Sequence, residues 1–517
     1  MTRGHGQGQE PAQGPDRRRG EGGRSRTDRR DFRSRRPGRR TSNAPSARSR
    51  VADDPRRVAY EVMREIDDGA YANLELPRHL RRARLTGRDA AFVTELVYGA
   101  TRLRGRYDPI IARGAGRDLA DIDPDVLDVL RLGAHQLLGT RVDGYAAVDS
   151  SVALARELLG AGRAGFVNAV LRRISEKDDA QWEAILTRGL DPDCDEALAV
   201  THSHPEWIVR ALRSALDAHA GASQETSELL VADNAAPAIA LVARPGLARV
   251  EELVDAGATR SELSPVAAVL ASGGDPGRIE AVRAGRAAVQ DEGSQLVTLA
   301  TLAAAHDLGL DVSGARWLDL CAGPGGKVAL LAAASLGRGA TVFANDASEH
   351  RTRLVDQAVS AAIDAGADVF VGTGDGREIG AQEPDSFDLV LLDAPCTGLG
   401  ALRRRPEARW RRTPDDVGTL SRLQGELLDS AVAATHAGGL VAYVTCSPHP
   451  AETRYVVRDA LARHPHLRQL DARPFVRDAA GEQVPGLGEG PGAQLWPHRH
   501  GTDAMFLALL QVGPPLG

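Results

Sequence analysis

RWLDLCAGPGGK (316–327) joins a short apolar run to a glycine-rich turn, and its reading decides the fold. Residues 316–320 fit a buried strand ending near Asp319. Gly323, Gly325 and Gly326 then free the turn to bring backbone amides against a ligand before a helix opens at about Lys327. Further apolar runs at 341–345, 368–371, 387–392, 440–444 and 505–510 alternate with helical stretches. That alternation predicts an α/β doubly wound sheet, in which ligands bind at the carboxyl ends of the strands.

A glycine turn by itself also suits a nucleotide phosphate, but no Lys-Ser/Thr pair stands here. Asp346 closes the second run in VFANDAS (342–348), where a carboxylate can accept hydrogen bonds from both ribose hydroxyls of an adenosine-containing cofactor. Asp375 in GTGDGRE (372–378) follows the third run and suits the adenine amino group. Each aspartate alone reads as a turn or cap residue. Together, at successive strand ends, they read as an S-adenosylmethionine site. NAD is the competitor, and its Gly-x-Gly-x-x-Gly fingerprint does not stand at 321–327.

Two later runs end in cysteine: DAPCTGLG (393–400) carries Cys396 and YVTCSPHP (443–450) carries Cys446. Carbon 5 of a cytosine is a poor nucleophile. A thiolate adding to carbon 6 pushes electron density toward carbon 5, which can then take a methyl group from a sulfonium. An acid or hydrogen-bond partner must support the ring nitrogen, and a base must later remove the carbon 5 proton. Asp393 suits the first role. From the residues alone, either cysteine could face the base. An exocyclic amino methyltransferase would carry Asn/Asp-Pro-Pro-Tyr/Phe where this chain has Asp-Ala-Pro-Cys, and would need no thiol.

The 517 residues suffice for about three domains. Four cysteines (Cys194, Cys321, Cys396, Cys446) without paired short spacing argue against a disulfide framework or a zinc site, and for a reduced, cytoplasmic setting. Cys194 reads as a small buried hydrophobe and Cys321 as a backbone participant in the turn. No apolar run suggests a signal or a membrane span. A monomer without metal is expected. Residues 1–50 hold 15 arginines against five acidic residues, so the net charge of −6 conceals a tail of +10 and a remainder of −16. This tail (1–53), rich in Gly, Arg, Ser and Pro, reads as disordered, and its charge could attract RNA phosphates. Six arginines within 403–412 follow the first cysteine loop and are expected to contact phosphate. His498 and His500 read as loop or RNA-facing residues.

From 54 to 178 the apolar spacing is helical. GRDAAFVTELVYGATR (87–102), VLRLGAHQLL (129–138), AVDSSVALAREL (147–158) and GFVNAVLRRI (165–174) resemble the NusB-type RNA-binding domain. Residues 179–285 are expected to be a linker and a small α/β subdomain on the substrate side, with ADNAAPAIALVARPG (232–246) similar to the segment that precedes the catalytic domain in RNA cytosine methyltransferases. The catalytic domain, Rossmann-like, is expected at 286–517. With VQDEGSQLV (289–297), RRRPEARW (403–410), VTCS (444–447) and HGTDAMF (500–506) added, residues 54–511 resemble the RsmB/Sun family of 16S ribosomal RNA cytosine-5 methyltransferases.

The resemblance implies Cys446 as nucleophile and Cys396 as the aid to product release. It places Cys321, Ala322, Gly323, Pro324, Gly325, Gly326 and Lys327, with Asp346, Asp375 and Asp393, around S-adenosylmethionine. Small-subunit ribosomal RNA is the implied partner. Gly323 stands where alanine is more usual in the family, an exchange expected to be harmless, and Thr453 where asparagine is common. The alternatives are the same chemistry on transfer RNA and a non-catalytic NusB-like RNA-binding factor. The intact cysteines and cofactor aspartates count against the latter.

Overall fold

The computed structural model describes residues 53–270 and 274–514. The basic tail expected at 1–53 therefore lies outside the described residues except for Asp53, whose carboxylate accepts from the Arg56 amide and caps the first helix.

Seven helices follow: Asp54–Asp67, Ala72–Arg82, Gly87–Arg102, Arg104–Ala115, Pro124–Leu138, Gly144–Leu159 and Ala161–Ile174. Local signals start them. Asp123 precedes Pro124 at a first turn, and Asp143 accepts from the amides of Tyr145 and Ala146. Their apolar stripes meet in one core containing Leu96, Val97, Leu130, Val167 and Leu171. Gly133 permits a close helix approach, since a Cβ there would lie 2.7 Å from Leu171 Cδ1.

The expected linker after 179 is helical and packed. Helices Asp179–Leu186, Asp195–Thr201, Glu206–Ala220 and Thr226–Asn234 occupy it. Ile208, Val209, Leu212 and Leu216 share a core with Leu399, Leu402 and Trp496. A small antiparallel sheet then forms from β1 (Ile239–Ala243), β2 (Thr259–Arg260), β3 (Ala267–Leu270) and β4 (Ala287–Val289), in the order β2-β3-β1-β4. A boundary between 285 and 286 would cut β4 from this sheet. We therefore propose that the division falls after Val289.

The large sheet comprises β5 (Arg316–Asp319), β6 (Thr341–Asp346), β7 (Asp368–Thr373), β8 (Phe387–Asp393), β9 (Thr435–Thr445), β10 (Leu467–Leu470), β11 (Ala493–Gln494) and β12 (Phe506–Val512). Its order is β10-β12-β9-β8-β5-β6-β7, with β11 on β12. Strands β5 to β9 pair in parallel, while β12 and β10 join antiparallel. Both faces are covered, so the strands read as continuous apolar runs. Leu389, Leu391, Ala442 and Val444 enter one core, with helices Glu292–Asp307, Gly326–Ser335 and Glu349–Asp364. Val390, Leu392, Val441 and Tyr443 enter the other, with Pro414–Ala434 and Arg454–Arg463. Each buried Leu or Val contributes about 1.5–3 kcal/mol, which fixes the register of the polar residues at the strand ends. Among the described residues no helix is long and apolar enough to cross a membrane.

Candidate active site

The strand order reverses between β5 and β8, and the polar residues gather at the carboxyl ends around that reversal. After β5 the chain turns sharply: the Ala322 amide donates to Asn345 O at 2.8 Å and the Gly325 amide to Ala322 O at 2.8 Å. Gly325 has φ +112°, and a Cβ there would lie 2.6 Å from Ala358 Cβ, so only glycine fits this turn. Asp346, at the end of β6, accepts from the Gly323 amide at 3.1 Å and the Ser348 amide at 2.8 Å, and pairs with Arg351 Nε at 3.0 Å. Asn345 Nδ2 donates to Leu320 O and to Gly374 O, each at 3.1 Å, and so ties together the ends of β5, β6 and β7.

Asp319 supplies the test of whether a ligand belongs here. Its carboxylate is fully buried and neither oxygen has a hydrogen-bond partner. Burial, with Asp393 nearby, pushes it up to about 8. A buried polar group without a partner is costly, and this one lies beneath the glycine turn at the mouth of the sheet. The residues therefore fit a polar cofactor with donor groups. On the next strand end Lys327 Nζ donates to Asp393 at 2.7 Å. Burial opposes the lysine's charge, but Asp393 outweighs it and raises the ammonium above its ordinary value.

Cys446 follows β9 directly and Cys396 lies just beyond β8. Since Asp393 pairs with Val444 across these strands, the two loops emerge side by side. The sulfurs are 3.3 Å apart and both cysteines are free. The hydrogen bond from Cys396 holds the Cys446 thiol below its ordinary value, against the opposing effect of burial. The same contact, together with burial, raises Cys396 well above its own. Burial likewise raises Cys321, which makes it a poor thiolate.

Several expectations need correction. The arginines of 403–412 mostly bind protein carbonyls and carboxylates. Arg403 donates to Gly501 O at 2.8 Å, Arg404 pairs with Asp503, and Arg412 Nε donates to Thr397 O at 3.1 Å. Arg409 is fully buried, and Arg411 binds the carbonyls of Ile66, Gly69 and Ala70. Of the six, Arg405 is the exposed one. The sequence could not locate the carbonyls that receive Arg409 and Arg411, which lie 176 to 345 residues away. His498 and His500 do not face outward as free loop residues: His498 bonds Glu225 at 2.9 Å, and His500 bonds Pro485 O at 2.8 Å. Cys194 is half-buried and caps a helix by accepting from the Ala197 amide at 3.4 Å. The Asp375 carboxylate is engaged by Arg377, with Nε at 3.0 Å. At 323 glycine suits this chain, since a Cβ there would lie 2.6 Å from Asp346 Oδ2 and 2.7 Å from Arg351 Cβ.

Residues 310–511 match the model of the family described as 16S rRNA methyltransferase RsmB/F, and residues 53–176 match that of the NusB family. A Mycobacterium tuberculosis protein, Rv1407, whose methyltransferase designation is provisional, is 49% identical over 91% of this chain and 99% of its own length. The ribosomal RNA small subunit methyltransferase B of Thermus thermophilus is 32% identical, over 89% of this chain and 98% of its own. That of Pseudomonas putida is 30% identical, over 88% and 98%. The solved structure of PH0851 superposes with a TM-score of 0.72 at 23% identity, covering 89% of this chain and 99% of that one, and so shares the fold. A helical NusB-like region followed by an α/β domain with this strand-end site, and relatives matched over nearly their whole length, place the chain in the RsmB/F family of S-adenosylmethionine-dependent 16S rRNA methyltransferases.

Proposed function

We propose that the protein methylates carbon 5 of a cytosine in small-subunit ribosomal RNA through a covalent adduct on Cys446. The observation that carries this is the sulfur pair: two free thiols in contact at 3.3 Å, delivered by adjacent strand ends beside the Lys327–Asp393 pair. A thiolate is the nucleophile such an addition requires. Cys446 Sγ forms a bond to carbon 6. Carbon 5 then carries the electron pair, and Asp393, held by Lys327, faces the ring nitrogen. S-adenosylmethionine supplies the electrophilic methyl group. Once its sulfur is bonded to carbon 6, Cys446 no longer raises Cys396, which in its thiolate form can take the carbon 5 proton; the C–H pair re-forms the ring double bond, the carbon–sulfur bond breaks and Cys446 leaves as thiolate.

The turn from Cys321 to Lys327, with Asp346, Asp375 and Asp393, would hold the cofactor. The fit rests on the unpartnered Asp319 carboxylate beneath that turn and on the glycine backbone at 323–326. Arg351, half exposed, is the partner of Asp346 that can withdraw to admit the ribose hydroxyls. Bisulfite sequencing of ribosomal and transfer RNA from a deletion strain tests the substrate. Loss of one 5-methylcytosine from 16S ribosomal RNA, restored by the wild-type gene, is expected. An unchanged ribosomal pattern with a lost transfer RNA site would reject the assignment.

A further inference from the structure

A buried carboxylate that the site residues above do not include sits behind both thiols. Glu452 has no exposure. One oxygen accepts from the Thr397 backbone amide at 2.8 Å and from Gln424 Nε2 at 3.1 Å. The other accepts from the Ser447 hydroxyl at 2.6 Å and from the Thr397 hydroxyl. Thr397 directly follows Cys396, and Ser447 directly follows Cys446. Gln424 Nε2 also donates to Pro395 O at 2.8 Å, so the backbone is held on both sides of Cys396. The Tyr443 hydroxyl, on the strand that delivers Cys446, donates to Glu452 O at 2.7 Å and lies 3.2 Å from Gln424 Oε1. A buried carboxylate persists only where donors saturate it, and here all four are neutral groups whose orientation the carboxylate itself dictates.

We propose that Glu452 is a positioning residue for the methyl transfer: by fixing Thr397 and Ser447 it sets the relative placement of the Cys396 and Cys446 sulfurs. The inference rests on reading those two cysteines as the reacting pair. Each half-reaction needs both loops in register, addition at Cys446 and release assisted by Cys396. Loosening the carboxylate therefore slows both halves together, whereas the loss of either thiol stops one.

The test uses the full chain, a 16S ribosomal RNA transcript and labelled S-adenosylmethionine. Glu452→Ala should lower kcat about 100-fold, the loss expected of an ångström-scale misplacement. The RNA KM and the cofactor Kd should stay within about threefold, since the hydrogen bonds of Glu452 go to Thr397, Gln424, Ser447 and Tyr443 and not to the cofactor turn. Glu452→Gln should recover to within about tenfold of wild type, because the two hydroxyls can rotate to accept from the new amide. Thr397→Val and Ser447→Ala should each cost about tenfold, and the double variant markedly less than the product, since both act through one carboxylate.

In single-turnover runs, adduct appearance and adduct resolution should slow together in Glu452→Ala, but resolution alone in Cys396→Ala. A kcat within about threefold of wild type in both Glu452 variants, or a loss confined to cofactor affinity, would overturn the proposal. Should Glu452→Ala not fold, the Thr397/Ser447 cycle decides: a fully multiplicative double variant rejects the shared carboxylate. Methylation retained by Cys446→Ala would instead refute the cysteine reading, whatever the Glu452 variants do.

Discussion

Replacing Arg409 by methionine keeps an apolar stem of similar reach and removes a guanidinium that has no exposure. Its Nη1 donates to Asn234 Oδ1 at 2.7 Å, to Ser203 O at 3.2 Å and to Arg102 O at 3.3 Å, and its Nη2 to Asp233 O at 2.7 Å. These acceptors belong to the NusB-like helices and to the helical segment after them, so one side chain joins three parts of the chain. The two short charged bonds contribute about 1.5–3 kcal/mol each and the longer pair about 0.5–1.5 each. Against this stands the cost of burying the charge, the same burial that lowers the arginine to about 9. After that offset, Arg409→Met should lose about 3–5 kcal/mol, because Asn234 Oδ1, Ser203 O and Asp233 O lose their donor, while Arg102 O keeps the Ser203 hydroxyl at 2.9 Å. Asp233, which burial pushes up to about 7 with Arg409 opposing, should rise further. Urea unfolding of the full chain measures the loss, and limited proteolysis between 179 and 234 should quicken. A loss below about 1 kcal/mol would refute the reasoning, since it would mean the acceptors find other donors.

Asp319 gives a pH dependence of defined sign. Its folded value, about 8, lies above the ordinary carboxylate range, so its contribution to stability is complete below about pH 4 and is lost as pH rises through 8. Asp319→Asn should therefore stabilise the cofactor-free protein by a few kcal/mol at pH 8.5, with the gap to wild type closing toward pH 4; parallel melting curves at all pH values would sink the idea. Asp346→Ala should weaken S-adenosylmethionine binding by about 1.5–3 kcal/mol in calorimetric titration, and an unchanged affinity would remove Asp346 from the site.

The large sheet was legible because its strands are buried on both faces. Runs such as FDLVLLD at 387–393 are almost wholly apolar and end in aspartate, and all six expected runs fall on strands of the sheet. β10 was missed because LRQL alternates weakly at a sheet edge, and β11 because it spans two residues. Helix Glu206–Ala220 carries Ile208, Val209, Leu212, Ala215 and Leu216 at helical spacing and could have been found on that signal. At the site, the cysteine and aspartate motifs were legible as motifs, while their partners were not. Nothing local in SPHPAE distinguishes Glu452 from a turn residue, because its donors lie at 397, 424 and 447. The arginine run failed for the same reason: composition gives charge, whereas the buried carbonyls that receive Arg409 and Arg411 come from distant helices.

The two thiols provide the most direct test of the central claim. Cys446→Ala and Cys396→Ala are incubated with 16S ribosomal RNA and S-adenosylmethionine, then run on denaturing gels that retain only covalent complexes. With addition assigned to Cys446 and release to Cys396, the Cys396→Ala protein should accumulate an RNA-linked band, and Cys446→Ala should give neither band nor methylated product. An RNA-linked band from Cys446→Ala with none from Cys396→Ala would reverse the roles, and methylation by both variants would contradict the covalent mechanism itself.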